Sequence, residues 1–214
     1  QQWQIETLEQ GFLPKNYDAV LLAIPAPQAA ALLKDHHNEA FKLAKNVNMR
    51  PSFALMVTLE NASSVSFDGL FIENNILSWI AKDSAKPGRS NVANPKSSKI
   101  FETWVIHASS AWSQAHVNED KATVSAFMLQ AFKDVMHQAA KAAPQPNTPL
   151  LIQSQALHRW LYADCETYLS SQFYYADDHH IGLCGDWLNG GKIQGAWLSG
   201  YLLAKHLLKR LSIE

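Results

Sequence analysis

The sequence predicts an α+β protein built on a mixed or antiparallel sheet with packed helices. Three observations predict it: short apolar runs with two-residue alternation, two helical stretches with apolar residues every three or four positions, and a glycine-rich segment near the end. The chain has 214 residues, enough to bury a substantial core as one domain or two small ones.

Residues 3–8 read as a strand, with a turn at Gln10 and Gly11. Residues 17–24 (YDAVLLAI) hold the unbroken apolar run of a strand covered on both faces, and residues 3–8 are its expected partner. Pro25 and Pro27 end that run, and residues 28–33 read as a short helix beside Pro27. Residues 36–48 are polar with scattered apolar positions, as in a second helix.

Residues 53–59 alternate Phe53, Leu55, Val57 and Leu59 against Ala54, Met56 and Thr58, which is strand periodicity. Residues 76–81 and 101–108 give two further strands. Lys86-Pro87-Gly88-Arg89 has the order of a type II turn, in which Lys86 and Arg89 are solvated. Three such strands joined by turns predict an antiparallel meander. Val124, Phe127, Met128, Ala131, Val135 and Met136 form one stripe of a helix, with Asn118 as its expected cap and Glu119 and Asp120 at its positive end. Pro144, Pro146 and Pro149 predict a stiff connector, residues 157–163 another strand, and Asp177 to His180 a polar loop.

The charge balance is near neutral (net −1), so no electrostatic case exists for nucleic acid or an acidic membrane surface. No apolar run reaches the length of a membrane span, and Gln1-Gln2-Trp3-Gln4 has no signal-peptide character. A cytoplasmic location follows as the expectation. Cys165 and Cys184 fit no metal spacing and read as buried thiols in a reducing compartment. The adjacent pairs His36-His37 and His179-His180 lack the i, i+4 spacing of a helical zinc site, and neighbours on an extended loop point to opposite sides, so no metal is expected. Ser199 lies in W-L-S-G-Y, without the G-x-S-x-G elbow of a serine hydrolase, and no P-loop is present.

Six of the nine glycines fall between Gly182 and Gly200. This stretch reads as a short buried strand, a turn bearing Asp186, a glycine-rich loop and a helix. Trp197, Tyr201, Ala204, Leu208 and Leu211 give that helix an apolar stripe. Glycine lets backbone approach a ligand closely, and a helix start offers unpaired N–H groups to carbonyl or phosphate oxygens. An Asp at the strand end can accept hydrogen bonds from a chain of hydroxyls. A glycine-rich turn capped for stability alone is the competing reading.

The run GDWLNGGKIQGAWLSGYLLA resembles the C-terminal flavin-binding signature of the FAD-dependent amine oxidase superfamily, and more narrowly its bacterial renalase-like branch of NAD/FAD-dependent oxidoreductases. Weaker matches follow in order along the chain: YDAVLLAIPAPQAAALL, PSFALMV, SWIAKDSAKPGR, WVIHASSAWSQAH and LHRWLYA. The resemblance implies a flavoenzyme whose substrate sheet roofs the flavin. It divides the chain into part of a Rossmann-like FAD-binding domain at 1–34, a substrate domain at 35–180, and a C-terminal FAD-binding strand, loop and helix at 181–214. It implies that Gly185 and Asp186 meet the ribityl and pyrophosphate part of FAD. Gln194, Gly195 and Ala196 would present backbone groups to the flavin ring, and Ala23, Ile24 and Pro25 would close the wall beside them. His158, Trp160 and Trp104 are the implied cavity residues. His107, within an apolar strand beside Trp104, reads either as a satisfied core histidine or as part of the same cavity.

The pattern departs from the superfamily in one respect. Such enzymes open on a strand, a G-x-G-x-x-G turn, a helix and a ribose-binding acidic residue, and no G-x-G-x-x-G occurs in this sequence. The expectation is therefore a C-terminal fragment that holds FAD poorly by itself, is inactive alone, and self-associates through the face the missing part would cover. The substrate implied for the whole enzyme is a small molecule, an amine or a dihydronicotinamide, with oxygen as the reoxidant. A binding or interaction domain that keeps the roofing sheet without cofactor is the alternative.

Overall fold

The computed structural model describes residues 2–89, 101–141 and 149–211. In chain order the elements are β1 (Trp3–Thr7), β2 (Gly11–Tyr17), β3 (Val20–Leu22), α1 (Ala26–Leu33), α2 (Asn38–Lys45), β4 (Met49–Leu59), β5 (Gly69–Phe71), β6 (Leu77–Lys82), β7 (Glu102–Ala108), α3 (Ser110–Ala115), α4 (Lys121–Lys141), β8 (Ile152–Cys165), β9 (Tyr174–Ala176), β10 (Ile181–Leu183) and α5 (Lys192–Leu211). They fall into two compact units. One is the continuous stretch Pro51–Ala163; the other joins Gln1–Arg50 to Asp164–Glu214. The connector expected at Pro144 and Pro146 lies outside the described residues.

The continuous unit carries a five-stranded sheet in the order β5-β6-β7-β4-β8. The alternation that marks residues 53–59 as a strand buries Phe53, Leu55, Val57 and Leu59 on one face, together with Ile80, Trp104 and Ile106. Val124, Met128, Phe132 and Met136 of α4, spaced by four, complete that core. The expected meander is corrected by the strand order. β7 lies between β6 and β4, antiparallel to both, with Trp104 opposite Val57 and Ile106 opposite Ile80. The segment after β4 instead adds β5 to the outer edge of β6. Gly69 permits that pairing, since a Cβ there would stand 2.8 Å from the Trp79 ring. Period-two alternation identifies a strand without naming its neighbour.

One charged group is buried in this core. Glu102 accepts a hydrogen bond from Trp104 Nε1 at 2.6 Å and one from the Ser63 amide at 3.3 Å, and Lys82 Nζ lies 3.4 Å away. Lys82 also sits 5.4 Å above the Trp104 ring. A buried carboxylate is tolerated because it is paired and bonded on both oxygens.

In the other unit β1 and β2 form a hairpin, pairing Trp3 with Tyr17. This corrects the expected partnership of residues 3–8 with the 17–24 strand: Tyr17 belongs to β2, and only Val20–Leu22 continues as β3. β3 pairs in parallel with β10, Val20 opposite Ile181, and β9 pairs antiparallel on β10's other side. The strands near Tyr17 and Ile181 are thus neighbours, as expected. The short helix expected at 28–33 starts earlier, at Ala26.

The apolar stripe of α5 faces outward. Trp197, Tyr201, Ala204 and Leu208 are exposed, whereas Gly195, Ser199 and Leu203 are buried. Gly182 of β10 leaves room for Leu203 on the inward face of the helix: a Cβ there would stand 3.1 Å from the Leu203 side chain and 2.5 Å from Leu21. No helix among the described residues is long and apolar enough to cross a membrane.

At the start of α4 the cap is Asp120 and not the expected Asn118. Asp120 Oδ1 accepts from the amides of Ala122 and Thr123 at 3.0 and 2.9 Å. The Thr123 side chain, followed by the Thr123 amide, leads the causes that hold its carboxyl below the usual range. Asp120→Ala is expected to lower Tm by about 2–4 °C in a thermal scan, with Asn118→Ala leaving it unchanged.

Candidate functional site: the glycine-rich turn after β10

β3 and β10 run parallel and end side by side, and each is followed by a helix start. After β3 the chain passes through Ala23 and Ile24 to Pro25, which caps α1 in an extended conformation with ψ 143°. After β10 it passes through Cys184 and Gly185 into a single 3-10 turn, Asp186–Leu188, and then the loop leading to α5. The carboxyl ends of adjacent parallel strands, with helix N-termini beside them, are where α/β folds place ligands.

Side chains fix this turn from below. Trp187 is fully buried and donates its indole N–H to the Ile24 carbonyl at 3.1 Å, tying the two strand ends together. Gly185 makes room for that indole, since a Cβ would fall 2.6 Å from Trp187 Nε1. The Gly185 amide donates to Ser199 Oγ at 3.0 Å, and Ser199 donates to the Gln172 carbonyl at 2.5 Å. Ser199, which the sequence reading treats only as a failed nucleophile, therefore holds the start of the turn against α5. Its signal was present as a hydroxyl between two glycines in a helix, but its partners are remote in sequence.

The loop then closes on itself. The Asp186 carbonyl accepts from the amides of Asn189 and Gly191 at 3.0 and 2.9 Å. Gly190, Gly191 and Lys192 follow with φ of 72°, 77° and 64°, three successive left-handed residues that swing the chain into α5. At Gly195 a Cβ would stand 2.4 Å from the Asn189 carbonyl oxygen, so the first turn of α5 lies directly on the loop. Gly195 is buried against that loop, whereas Gln194 and Ala196 beside it are exposed. Asp186 is half-buried, and among the described residues its carboxylate accepts no hydrogen bond and joins no ion pair. The structure thus brings together Ala23, Pro25, Gly185, Asp186, Gln194, Gly195 and Ala196 in one unit.

A second shell of contacts was not legible in the sequence. Tyr168 lies over Gly191, where an added Cβ would meet its ring at 2.4 Å. Its hydroxyl donates to Asp164 Oδ1, and Arg50 Nη2 donates to Asp164 Oδ2 at 2.5 Å and to the Cys165 carbonyl at 3.3 Å. Burial pushes the Asp164 carboxyl up, but Tyr168 and Arg50 outweigh it and hold the group below its ordinary range. Burial, with the bond to Asp164, pushes the Tyr168 hydroxyl up to about 12. The Leu169 amide donates to the Trp187 carbonyl, and the Gln172 amide to that of Leu188, so this segment braces the turn from outside. Cys165 and Cys184 are free and buried, and burial followed by the Asp186 charge raises the Cys165 thiol to about 11, leaving it unreactive at neutral pH.

The implied cavity residues lie in the other unit and do not form a set. His158 and Trp160 project together from β8, ring centroids 4.2 Å apart, with Trp160 57% exposed. Trp104 is separated from them in the core, edge-on to Phe67 and tilted against Phe132. His107, opposite Trp79 and Ala54 on its neighbours, is exposed; partial burial, with the Lys86 charge, lowers its pKa.

The Arg50–Asp164–Tyr168 trio gives a pH prediction. Asp164 is depressed on folding, so its contribution is complete above about pH 5 and is lost as pH falls through its folded value, below about 3.9. Tyr168 is raised on folding, so its contribution is complete below about pH 10 and is lost as pH rises towards 12. Thermal melts across pH should show Asp164→Asn flattening the acid limb and Tyr168→Phe the alkaline limb. Unchanged limbs in both variants would exclude the trio as a stabilising network.

No protein-family profile matches the chain. Among solved structures it is similar to a protein from an Exiguobacterium species designated a protoporphyrinogen oxidase, with a TM-score of 0.64 at 13% identity over 99% of this chain. It is also similar to cyclohexylamine oxidase from Brevibacterium oxydans, with a TM-score of 0.60 at 12% identity over 95% of this chain. An oxidoreductase from Methanosarcina mazei matches with a TM-score of 0.52 at 10% identity over 89% of this chain. The chain spans 44%, 45% and 43% of the lengths of these three proteins. At such identities the likeness is one of fold: this mixed α/β arrangement is shared with parts of larger oxidases.

Proposed function

We propose that this chain contributes to a flavin-dependent oxidoreductase of the amine oxidase or renalase-like kind, supplying the substrate sheet and one end of an FAD site in a remnant of a Rossmann-like domain. The observation that carries the reading is Asp186. It is a half-buried carboxylate that accepts no hydrogen bond among the described residues, at the carboxyl end of a parallel strand pair and beside the start of α5. A carboxylate in that position suits the hydroxyl groups of a ribityl or ribose chain. The names of the similar structures, an oxidase of cyclohexylamine among them, support the reaction class.

The residues fit the group. Asp186 would accept from sugar hydroxyls, while the Gly185 backbone allows close approach. In the first turn of α5, Gln194 would offer an N–H group that has no intrahelical acceptor, and Gly195 and Ala196 would bring the backbone close to the ring. Ala23 and Pro25 would close the adjoining wall without polar side chains. When bound, FAD would take a hydride from a carbon beside an amine nitrogen, or from a dihydronicotinamide ring, with oxygen as the reoxidant. His158 and Trp160 are the proposed substrate-binding residues of the other unit. With no G-x-G-x-x-G in the sequence, the pyrophosphate would be held here only from the Gly185–Ala196 side, so this chain by itself should be inactive.

The purified chain is expected to be colourless and to bind added FAD weakly by fluorescence quenching. Asp186→Ala should weaken that binding by roughly tenfold or more, the loss of a charge-assisted hydrogen bond of about 1.5–3 kcal/mol. Equal binding by the parent and the variant would remove Asp186 from the site. A stoichiometric flavin band in fresh protein would overturn the expectation of weak retention.

The same unit presents Ile193, Trp197 and Tyr201 along one edge of α5, at 90%, 66% and 50% exposure, with the last two rings stacked 5.2 Å apart. Such a contiguous apolar stripe is the proposed surface for self-association. Sedimentation should show concentration-dependent dimers that Trp197→Glu disperses; a monomer at all concentrations would exclude it.

A further inference from the structure

We propose that His37, Asp178 and His179 form a binding site for a divalent transition-metal ion of the zinc class. The proposal is independent of the flavin reading. Their donor atoms all lie within 4.8 Å of one another, in one unit. His37 Nε2 is 3.6 Å from Asp178 Oδ1, and His179 Nδ1 is 2.9 Å from Asp178 Oδ2. In a tetrahedral shell with metal–donor distances of about 2.0–2.1 Å, donors stand roughly 3.3–3.4 Å apart, between those two separations. Two imidazoles and one carboxylate match the donor preference of zinc, cobalt or nickel. Asp178 is open to solvent, which leaves a fourth position for water.

A second observation points to a ligand. His179 Nδ1 is buried and has no hydrogen-bond partner, although a carboxylate oxygen lies 2.9 Å away. Nitrogen and oxygen are close yet not aligned as donor and acceptor, as when both face a common third atom. The scaffold holds all three residues in place. His37, its side chain only 8% exposed, stands in an extended conformation at the start of α2. The turn bearing Asp178 and His179 is pinned by Trp3 Nε1, which donates to the His179 carbonyl at 2.8 Å, and by the Val20 amide, which donates to that of His180 at 3.0 Å. The two imidazole rings meet edge to face at 4.9 Å.

Binding has a defined cost. His37 Nδ1 accepts the Ala40 amide at 3.1 Å as the cap of α2, so in the metal-free neutral ring the proton is on Nε2. Coordination through Nε2 moves that proton to Nδ1 and ends the capping bond. Metal and cap therefore compete, and the affinity falls below that of a closed structural zinc site.

The competition supplies the test. Asn is as good a helix cap as any residue, so His37→Asn keeps α2 capped while removing the imidazole. Tag-free, chelator-treated chain is titrated with Co²⁺, followed by the visible bands of four-coordinate cobalt, and with Zn²⁺ by calorimetry. One equivalent is expected to bind, with about tenfold or greater weakening in His37→Asn and in His179→Ala. His37→Asn should melt like the parent without metal, and Zn²⁺ should raise the Tm of the parent alone. Absence of saturable uptake, or uptake unchanged in both variants, overturns the proposal.

Discussion

The parallel register of β3 on β10 is the constraint on which the discontinuous unit depends. It sets Leu22 beside Leu183, so the two strands stop together and their following segments emerge side by side. Everything near the candidate site inherits that alignment. The Trp187 indole can reach the Ile24 carbonyl only because both lie two to four residues beyond paired positions. A slip of one residue would turn the strands' side chains to opposite faces and separate the groups. Gly182 at the centre of β10 is what makes the register dense, because Leu21 and Leu203 close over the space where a side chain would stand.

The turn above those strands is rigid for a loop. Its curvature comes from consecutive left-handed residues, its inner side is filled by Trp187, and its outer side is covered by Tyr168. The backbone is braced by the 169–172 segment and by Ser199. Against that background Asp186 stands apart: it is half-buried, and among the described residues its carboxylate accepts no hydrogen bond. Two lines converge there without depending on each other, the glycine-rich text of the sequence and the geometry of the strand ends.

Strands and helices were legible where periodicity was strong. The stretches 53–59 and 101–108 each mark a strand, and the four-residue spacing from Val124 to Met136 marks α4, because one face of each is buried; 157–163 reads as a strand although its residues are largely exposed. Neighbour relations were not legible: nothing in the alternation says that β7 separates β6 from β4. β5, three residues long, carries no pattern at all. On α5 the apolar stripe was legible but the buried side was not, because the Gly195–Ser199–Leu203 face is set by contacts with Asn189, Gly185 and Gly182 that no spacing in the helix announces. Within the candidate site, Gly185 and Asp186 stand in one readable run. Arg50, Asp164 and Tyr168 do not, since their meeting depends on where two distant segments are brought together. Trp104 stood as a cavity residue by the resemblance, but it shares a strand face with Glu102 and Ile106 and is buried in the core.

The division of the chain also has a kinetic meaning. Pro51–Ala163 is continuous and can form its core from contacts made within one uninterrupted stretch. The other unit cannot complete its sheet when its first segment leaves the ribosome, because β3 has no parallel neighbour until β10 has been made. Closing so long a loop costs conformational entropy before any pairing repays it. During synthesis Val20, Leu21 and Leu22 therefore wait as an unpaired apolar edge while more than a hundred further residues are added. That interval is when the nascent protein is most open to chaperones and to misassociation with other unfinished chains.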